Sequence, residues 1–245
     1  MKKAMLIFIC LFICYAVLSP AYSEDMNQED MEQVVNNINA FAFDLYSELA
    51  KEECNIFFSP YSISSALAMT YAGARGNTEK QMQEVLHFDL GQDIHPYFSE
   101  LQSSLDVSGE DKSYQLYIAN ALWGQKDYPF LDEFIDLNEM LYGAGLNLVD
   151  FKDEEAREEA RLAINNWTEE KTNQKIQELI KKGILDDLTR LVLTNAIYFK
   201  GNWASQFEAE NTKDNPFYVS SDVTKDVPTM YQKSILNTLR IQMYS

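Results

Sequence analysis

Residues Leu191–Trp203 read Leu-Val-Leu-Thr-Asn-Ala-Ile-Tyr-Phe-Lys-Gly-Asn-Trp, and this run limits the folds open to the chain more than any other. Its odd positions Leu191, Leu193, Ile197 and Phe199 are large and apolar, whereas its even positions Val192, Thr194, Ala196 and Tyr198 are mostly small or amphipathic. A segment covered on both faces is an interior strand. At about 3.3 Å per residue, Leu191–Phe199 would reach roughly 30 Å, enough to cross a domain. Asn195 falls on the large apolar face, where an unpaired amide costs a few kcal/mol, so the strand demands a dedicated polar partner there. A satisfied core amide is a commoner reason for such a residue than catalysis.

On the N-terminal side, Asn36–Leu49 carries Ile38, Phe41, Ala42, Leu45 and Leu49 at the spacing of an amphipathic surface helix. Asn55-Ile56-Phe57-Phe58 reads as a short apolar strand closed by Ser59-Pro60, an N-cap followed by proline at the first helical position. The helix this opens, Pro60–Ala72, has no charge and many small residues, so neighbouring backbones can approach it on every side and it belongs in the centre. Gly73 and Gly76 end it, and Thr78-Glu79-Lys80-Gln81 is a capping box for a helix with Met82, Val85 and Leu86 turned inward. His95–Leu105 predicts a surface helix, broken by Ser108-Gly109-Glu110-Asp111. Tyr114–Trp123 predicts a second long strand, again with an amide, Asn120, among apolar neighbours. Pro129–Tyr142 is helical, stopped by Gly143 or Gly145, and Leu146–Phe151 is a short strand near a sheet edge because Asn147 and Asp150 interrupt it. Glu154–Lys182 holds the longest helical pattern, a stripe of Ala160, Ala163, Ile164 and Trp167 resumed by Ile176, Leu179 and Ile180, and it can pack across the small-residue face of Leu191–Phe199.

Charge and the N-terminus bound the surroundings in which such a chain works. The 38 acidic against 20 basic residues give a net charge of −18, which repels phosphate backbones and anionic lipid and disfavours nucleic acid as a partner. Lys2-Lys3, the apolar run Ala4–Leu18 and Ala21-Tyr22-Ser23 before Glu24 follow the order of a secretory signal peptide over residues 1–23. The run is short for a span and no basic stop follows, so no membrane association is expected after its removal. Cys10 and Cys14 lie within it, which leaves Cys54 as a lone thiol without an intrachain bridge. Leu11-Phe12-Ile13 before Cys14 makes a poor lipid-attachment site, so export to the extracellular space is the expectation.

Catalytic and ligand-binding motifs are missing. No phosphate-cradling glycine loop, dinucleotide fingerprint, paired cysteines or Gly-x-Ser-x-Gly elbow occurs, and no cofactor or metal is expected. Of the two histidines, His87 ends one helix and His95 begins the next beside acidic residues, so both are read as solvated surface groups. Carboxylate runs such as Glu154-Glu155 are surplus charge on an exposed face. Asn166-Trp167-Thr168 matches a glycosylation sequon but sits mid-helix and is read as chance. These observations describe a protein that is not an enzyme.

The stretch Asn55–Gln81, reading Asn-Ile-Phe-Phe-Ser-Pro-Tyr-Ser-Ile-Ser-Ser-Ala-Leu-Ala-Met-Thr-Tyr-Ala-Gly-Ala-Arg-Gly-Asn-Thr-Glu-Lys-Gln, closely resembles the serpins, and Leu193–Trp203 and Val227–Lys233 resemble the same family in the same order. The resemblance implies an α+β serpin fold, here its N-terminal portion over residues 24–233 with helices and a central mixed sheet. It also implies protease inhibition, in which a C-terminal reactive loop baits a protease and inserts into that sheet after cleavage. By similarity, Leu191–Phe199 is the central strand beside the insertion slot, Tyr114–Trp123 its neighbour, and Glu154–Lys182 the helix above them. Ser59, Ser62 and Asn195 match the polar cluster beneath the slot, which loosens when strands part. Lys200, Trp203 and Thr212 match the region where the loop first enters.

Residues 234–245 do not continue the family pattern and are read as a tail, with the hinge, the reactive loop and the strand across the slot not encoded. The chain as it stands is therefore expected to be inactive and to leave Leu191–Phe199 with an open edge. The implied partner is a serine or cysteine protease. A non-inhibitory binding or carrier role on the same scaffold is the alternative. Some family members use a basic helix corresponding to His95–Leu105 to bind heparin, but that segment holds no lysine or arginine here, so no heparin dependence is expected.

Overall fold

The structure is a computed structural model, and it describes residues 27–52, 54–105 and 114–233. The expected signal peptide, the Ser108–Asp111 break and the 234–245 tail lie outside the described residues. The elements in order are α1 (Gln28–Leu49), α2 (Pro60–Tyr71), α3 (Gly76–Leu86), α4 (His95–Leu105), β1 (Tyr114–Gln125), α5 (Asp132–Tyr142), β2 (Leu146–Val149), α6 (Glu154–Lys171), β3 (Leu191–Gly201), β4 (Lys213–Tyr218) and β5 (Thr224–Thr229). Two compact units divide the chain. Among the described residues, the first holds 27–52, 54–105 and 117–198, and the second holds 114–116 and 199–233.

The first unit is built on a three-stranded sheet in the order β2-β1-β3. β2 runs parallel to β1, with Leu122 opposite Leu146 and Gln125 opposite Val149. β3 runs antiparallel to β1, because the Gln125 N–H donates to the Arg190 carbonyl at one end while Tyr117 stacks on Tyr198 at the other. The mixed sheet that the resemblance implies is thus present, with β2 at an edge among the described strands, as expected.

Each face of the sheet has its own core. On one, Ala121, Trp123, Phe151, Ala160, Ile164 and Ile180 pack together, flanked by Val192 and Trp167. This is the small-residue face of β3, and α6 lies over it as the spacing predicts, with Trp167 edge-on to Trp123 at 6.5 Å. On the other face, Ala68 and Met69 of α2 join Val34, Phe41, Phe88, Phe98, Leu122 and Tyr142, with Leu191 and Leu193 packed against them. α2 starts as its sequence dictates: Ser59 is the N-cap and Pro60 follows at the first helical position.

Several expectations need correction. β3 is read as an interior strand, yet among the described strands β1 is its only neighbour, which agrees with the open edge expected for this chain. Its small face is the better covered one, with Thr194, Ala196 and Tyr198 buried, whereas Phe199 on the large face is 68% exposed. A helix laid on small residues seals them more closely than α2 seals the longer side chains opposite. Asn55–Phe58 forms no strand, and Phe57 is fully exposed; no described strand runs alongside to pair with it. α1 begins earlier than expected, at Gln28, because Asn27 caps it by accepting a hydrogen bond from the Glu29 N–H at 3.0 Å. The Thr78–Gln81 capping box is not used, since α3 already begins at Gly76, and Val85 faces outward. α6 stops at Lys171 instead of continuing to Lys182, with Asn173 and Gln174 both left-handed. Beyond it, Asn165 binds both backbone groups of Ile180, at 2.8 and 2.9 Å, and Arg161 adds a bond to the same carbonyl at 2.8 Å. These side chains satisfy backbone groups of an irregular segment that helical continuation would otherwise serve.

In the second unit β4 and β5 form an antiparallel hairpin, with Asn215 opposite Val227. Among the described residues no helix is long and apolar enough to cross a membrane.

Candidate functional site

The N-cap geometry of α2 aims Ser62 into the sheet. Ser59 Oγ accepts the Ser62 backbone N–H at 3.3 Å, which leaves the Ser62 hydroxyl to project from the first turn. That hydroxyl donates to Asn195 Oδ1 on β3. The Asn195 Nδ2 in turn donates to Asn120 Oδ1 on β1 at 2.7 Å. Asn120 then spends its own Nδ2 on the Tyr142 carbonyl at 2.9 Å and on Gln102 Oε1 at 3.3 Å. The polar partner that Asn195 requires is therefore a relay of one hydroxyl and two amides, running from the start of α2 across β3 and β1 to the end of α5.

Because each amide donates in one direction and accepts from the other, every bond in the relay depends on the orientation of the next. A second tie holds β1 to β3 on the opposite face, where Trp123 Nε1 donates to Thr194 Oγ1 at 3.0 Å and that hydroxyl donates to the Ala121 carbonyl at 3.2 Å. β3 is thus held through side chains to α2 and β1, while its other edge has no strand beside it among the described residues.

Ser59, Ser62 and Asn195 are joined by hydrogen bonds through Ser62. Lys200, Trp203 and Thr212 are not joined to one another by any hydrogen bond among the described residues. Lys200 is exposed at the end of β3, Trp203 is 64% exposed and packs edge-on against Phe207 at 5.4 Å, and Thr212 closes a short turn by donating its N–H to the Ala209 carbonyl. No cluster of three His, Cys, Asp or Glu side chains suited to a metal occurs among the described residues.

The two histidines part company. His87, at the left-handed end of α3, lies 2.7 Å from Asp44 at the surface, as read. His95 does not: it is buried at 1% exposure, with Nδ1 2.7 Å from the Tyr142 hydroxyl and Nε2 3.1 Å from Gln92 Oε1. Burial lowers its pKa to about 4, with the nearby Arg75 acting in the same direction. Burial likewise holds the Tyr142 hydroxyl well above its ordinary value. The signal that would have placed His95 inside is its spacing of three from Phe98 and seven from Gln102, which puts it on the inward stripe of α4.

A family model described as Serpin (serine protease inhibitor) matches residues 36–244. The chain belongs to the serpin family. That match runs on through residues 234–244, which the sequence reading set apart. Curated serpin relatives include the leukocyte elastase inhibitor of Sus scrofa, 49% identical over 205 residues, and that of Homo sapiens, 44% identical over 205 residues. In each case the alignment takes in 83% of this chain and 53% of the relative, so this serpin chain spans about half the length of the curated relatives it matches. Among solved structures, ovalbumin from emu superposes with a TM-score of 0.76 at 33% identity, over 82% of this chain and 55% of the ovalbumin.

Proposed function

We propose that this chain supplies the strand-receiving part of an exported serpin inhibitor of a serine protease, with Ser59, Ser62, Asn195 and Asn120 as the latch that must loosen when the sheet opens. The observation that carries the reading is the directional relay from Ser62 through Asn195 to Asn120, set beside a β3 edge with no described partner strand. A core amide needed only for packing could be satisfied by one neighbour. This one ties β3, the strand at that edge, both to the start of α2 and to β1. The names of the leukocyte elastase inhibitors support an elastase-type serine protease as target. The Lys2-Lys3 pair, the apolar run and Ala21-Tyr22-Ser23 support export. Lys200, Trp203 and Thr212 are assigned, on the resemblance alone, to the region where an inserting segment first enters. The protein acts by binding and conformational change and turns over no substrate.

The test is incubation with leukocyte elastase followed by denaturing electrophoresis. A chain carrying the C-terminal half of a leukocyte elastase inhibitor appended to these residues is expected to form a detergent-resistant complex, and the 245 residues alone are not. A stable complex with the 245-residue chain would overturn this division of labour. Failure of the extended chain to inhibit would favour a binding or carrier role.

A further inference from the structure

The relay does not stop at Tyr142. Tyr142 is the last residue of α5, and it is held at both ends: its carbonyl accepts from Asn120 and its hydroxyl meets His95. The proton positions there follow from the neighbours. Gln92 Nε2 lies 3.2 Å from the Tyr71 carbonyl and 3.1 Å from Glu79 Oε1, both acceptors, so the Gln92 amide oxygen is the atom turned toward His95. An amide oxygen only accepts, so the neutral ring carries its proton on Nε2, leaves Nδ1 bare, and receives the Tyr142 O–H there. The charged and titratable groups around the ring are Arg75 before α3, Glu79 of α3 through Gln92, Tyr71 of α2 with its ring 6.0 Å away, and Tyr142 of α5. Phe98 lies against the Tyr142 ring at 6.1 Å and is itself flanked by Phe88 and by Tyr61 of α2, the further titratable group that acts on Tyr142.

We propose that His95 is a positioning residue for the latch: its bare Nδ1 fixes the Tyr142 hydroxyl and so the last turn of α5, whose carbonyl orients Asn120, Asn195 and Ser62 in turn. The inference rests on the latch reading of the preceding subsection. A proton arriving on Nδ1 turns that atom from acceptor to donor. The Tyr142 hydroxyl must then rotate to accept, and its hydrogen has to turn away from the ring nitrogen that now receives it. The end of α5 and β3 are thereby coupled to a group that lies far from both in sequence.

The experiment is hydrogen exchange by mass spectrometry on the dilute 245-residue chain, comparing β3 with α6 as an internal reference and correcting for intrinsic exchange rates at each pH. At pH 7, His95→Leu and Tyr142→Phe are expected to speed exchange in β3 about tenfold relative to α6. His95→Gln, whose amide oxygen and nitrogen reproduce the acceptor and donor of the neutral ring, is expected to keep wild-type protection. In the wild type the ratio of β3 to α6 exchange rises as pH falls from 6.5 to 4.5, and in His95→Gln it stays level. If β3 and α6 change in step in every variant, or His95→Gln retains the wild-type pH profile, the positioning role is overturned. Asn195→Ala separates the two readings. If it leaves β3 exchange unchanged, the latch itself fails; if it speeds β3 while His95→Leu does not, only the role of His95 fails.

Discussion

Acid should weaken this fold through one residue. His95 is buried and its pKa falls from 6.5 to about 4, whereas in the unfolded chain it returns to the ordinary value. The unfolded state therefore takes up a proton at pH values where the folded state does not. The stabilising contribution is fully present above pH 6.5 and is lost as pH falls toward 4. The gap between those two values corresponds to about 3 kcal/mol, of which about 2.5 kcal/mol is lost between pH 7 and 4.5. That is a large share of the roughly 5–15 kcal/mol that holds a typical domain together. The acidic groups with lowered pKa act in a different window. Asp150 is held down by hydrogen bonds from Gln125 and Lys126, Glu158 by Arg161, and Asp186 by Thr189, and each loses its contribution only as pH falls through the carboxylate range and below. Urea titrations of the wild type and His95→Gln at pH 7 and 4.5 isolate the histidine, because the self-repulsion of a chain with net charge −18 changes equally in both. The wild type should lose about 2.5 kcal/mol more than the variant. Equal losses in the two proteins would refute the reasoning.

Asn195→Ala removes the acceptor of Ser62 and the donor to Asn120, and should cost about 2 kcal/mol in urea unfolding; a double-mutant cycle with Asn120→Ala should show a coupling of about 1 kcal/mol. Gly124→Ala in β1 places a methyl group 2.6 Å from a ring carbon of Phe130 and 2.8 Å from Leu146, so the strand or the ring must shift; a loss of about 2 kcal/mol in the same assay is expected, and an unchanged midpoint would contradict it. The chain should not be retained on immobilised heparin at physiological salt, because α4 carries no lysine or arginine.

Local chemistry made much of the fold legible. Ser59-Pro60 started α2, Gly143 ended α5, and the small even positions of β3 marked the face on which α6 lies. These features act within a few residues, where capping, glycine conformations and side-chain alternation have direct physical causes. The resemblance of Asn55–Gln81 to the serpins grouped Ser59, Ser62 and Asn195, and the spacing alone had already shown that Asn195 needed a partner.

What could not be read was any property set by distant neighbours. Asn55–Phe58 has the composition of a strand, but a strand needs another beside it, and none is described there. Ile176 and Leu179 continue a helical stripe on paper, yet Asn165 and Arg161 satisfy the Ile180 backbone and let the chain leave the helix. His95 looks like a surface residue at the start of a polar helix, and only the packing of α2, α5 and Gln92 around it turns it into a buried acceptor. Residue order was enough to say which segments could form helices and strands and that an amide would sit among apolar side chains. Which donor met which acceptor came from packing, because burial and hydrogen-bond direction belong to pairs of groups brought together across 47, 75 and 133 residues of chain.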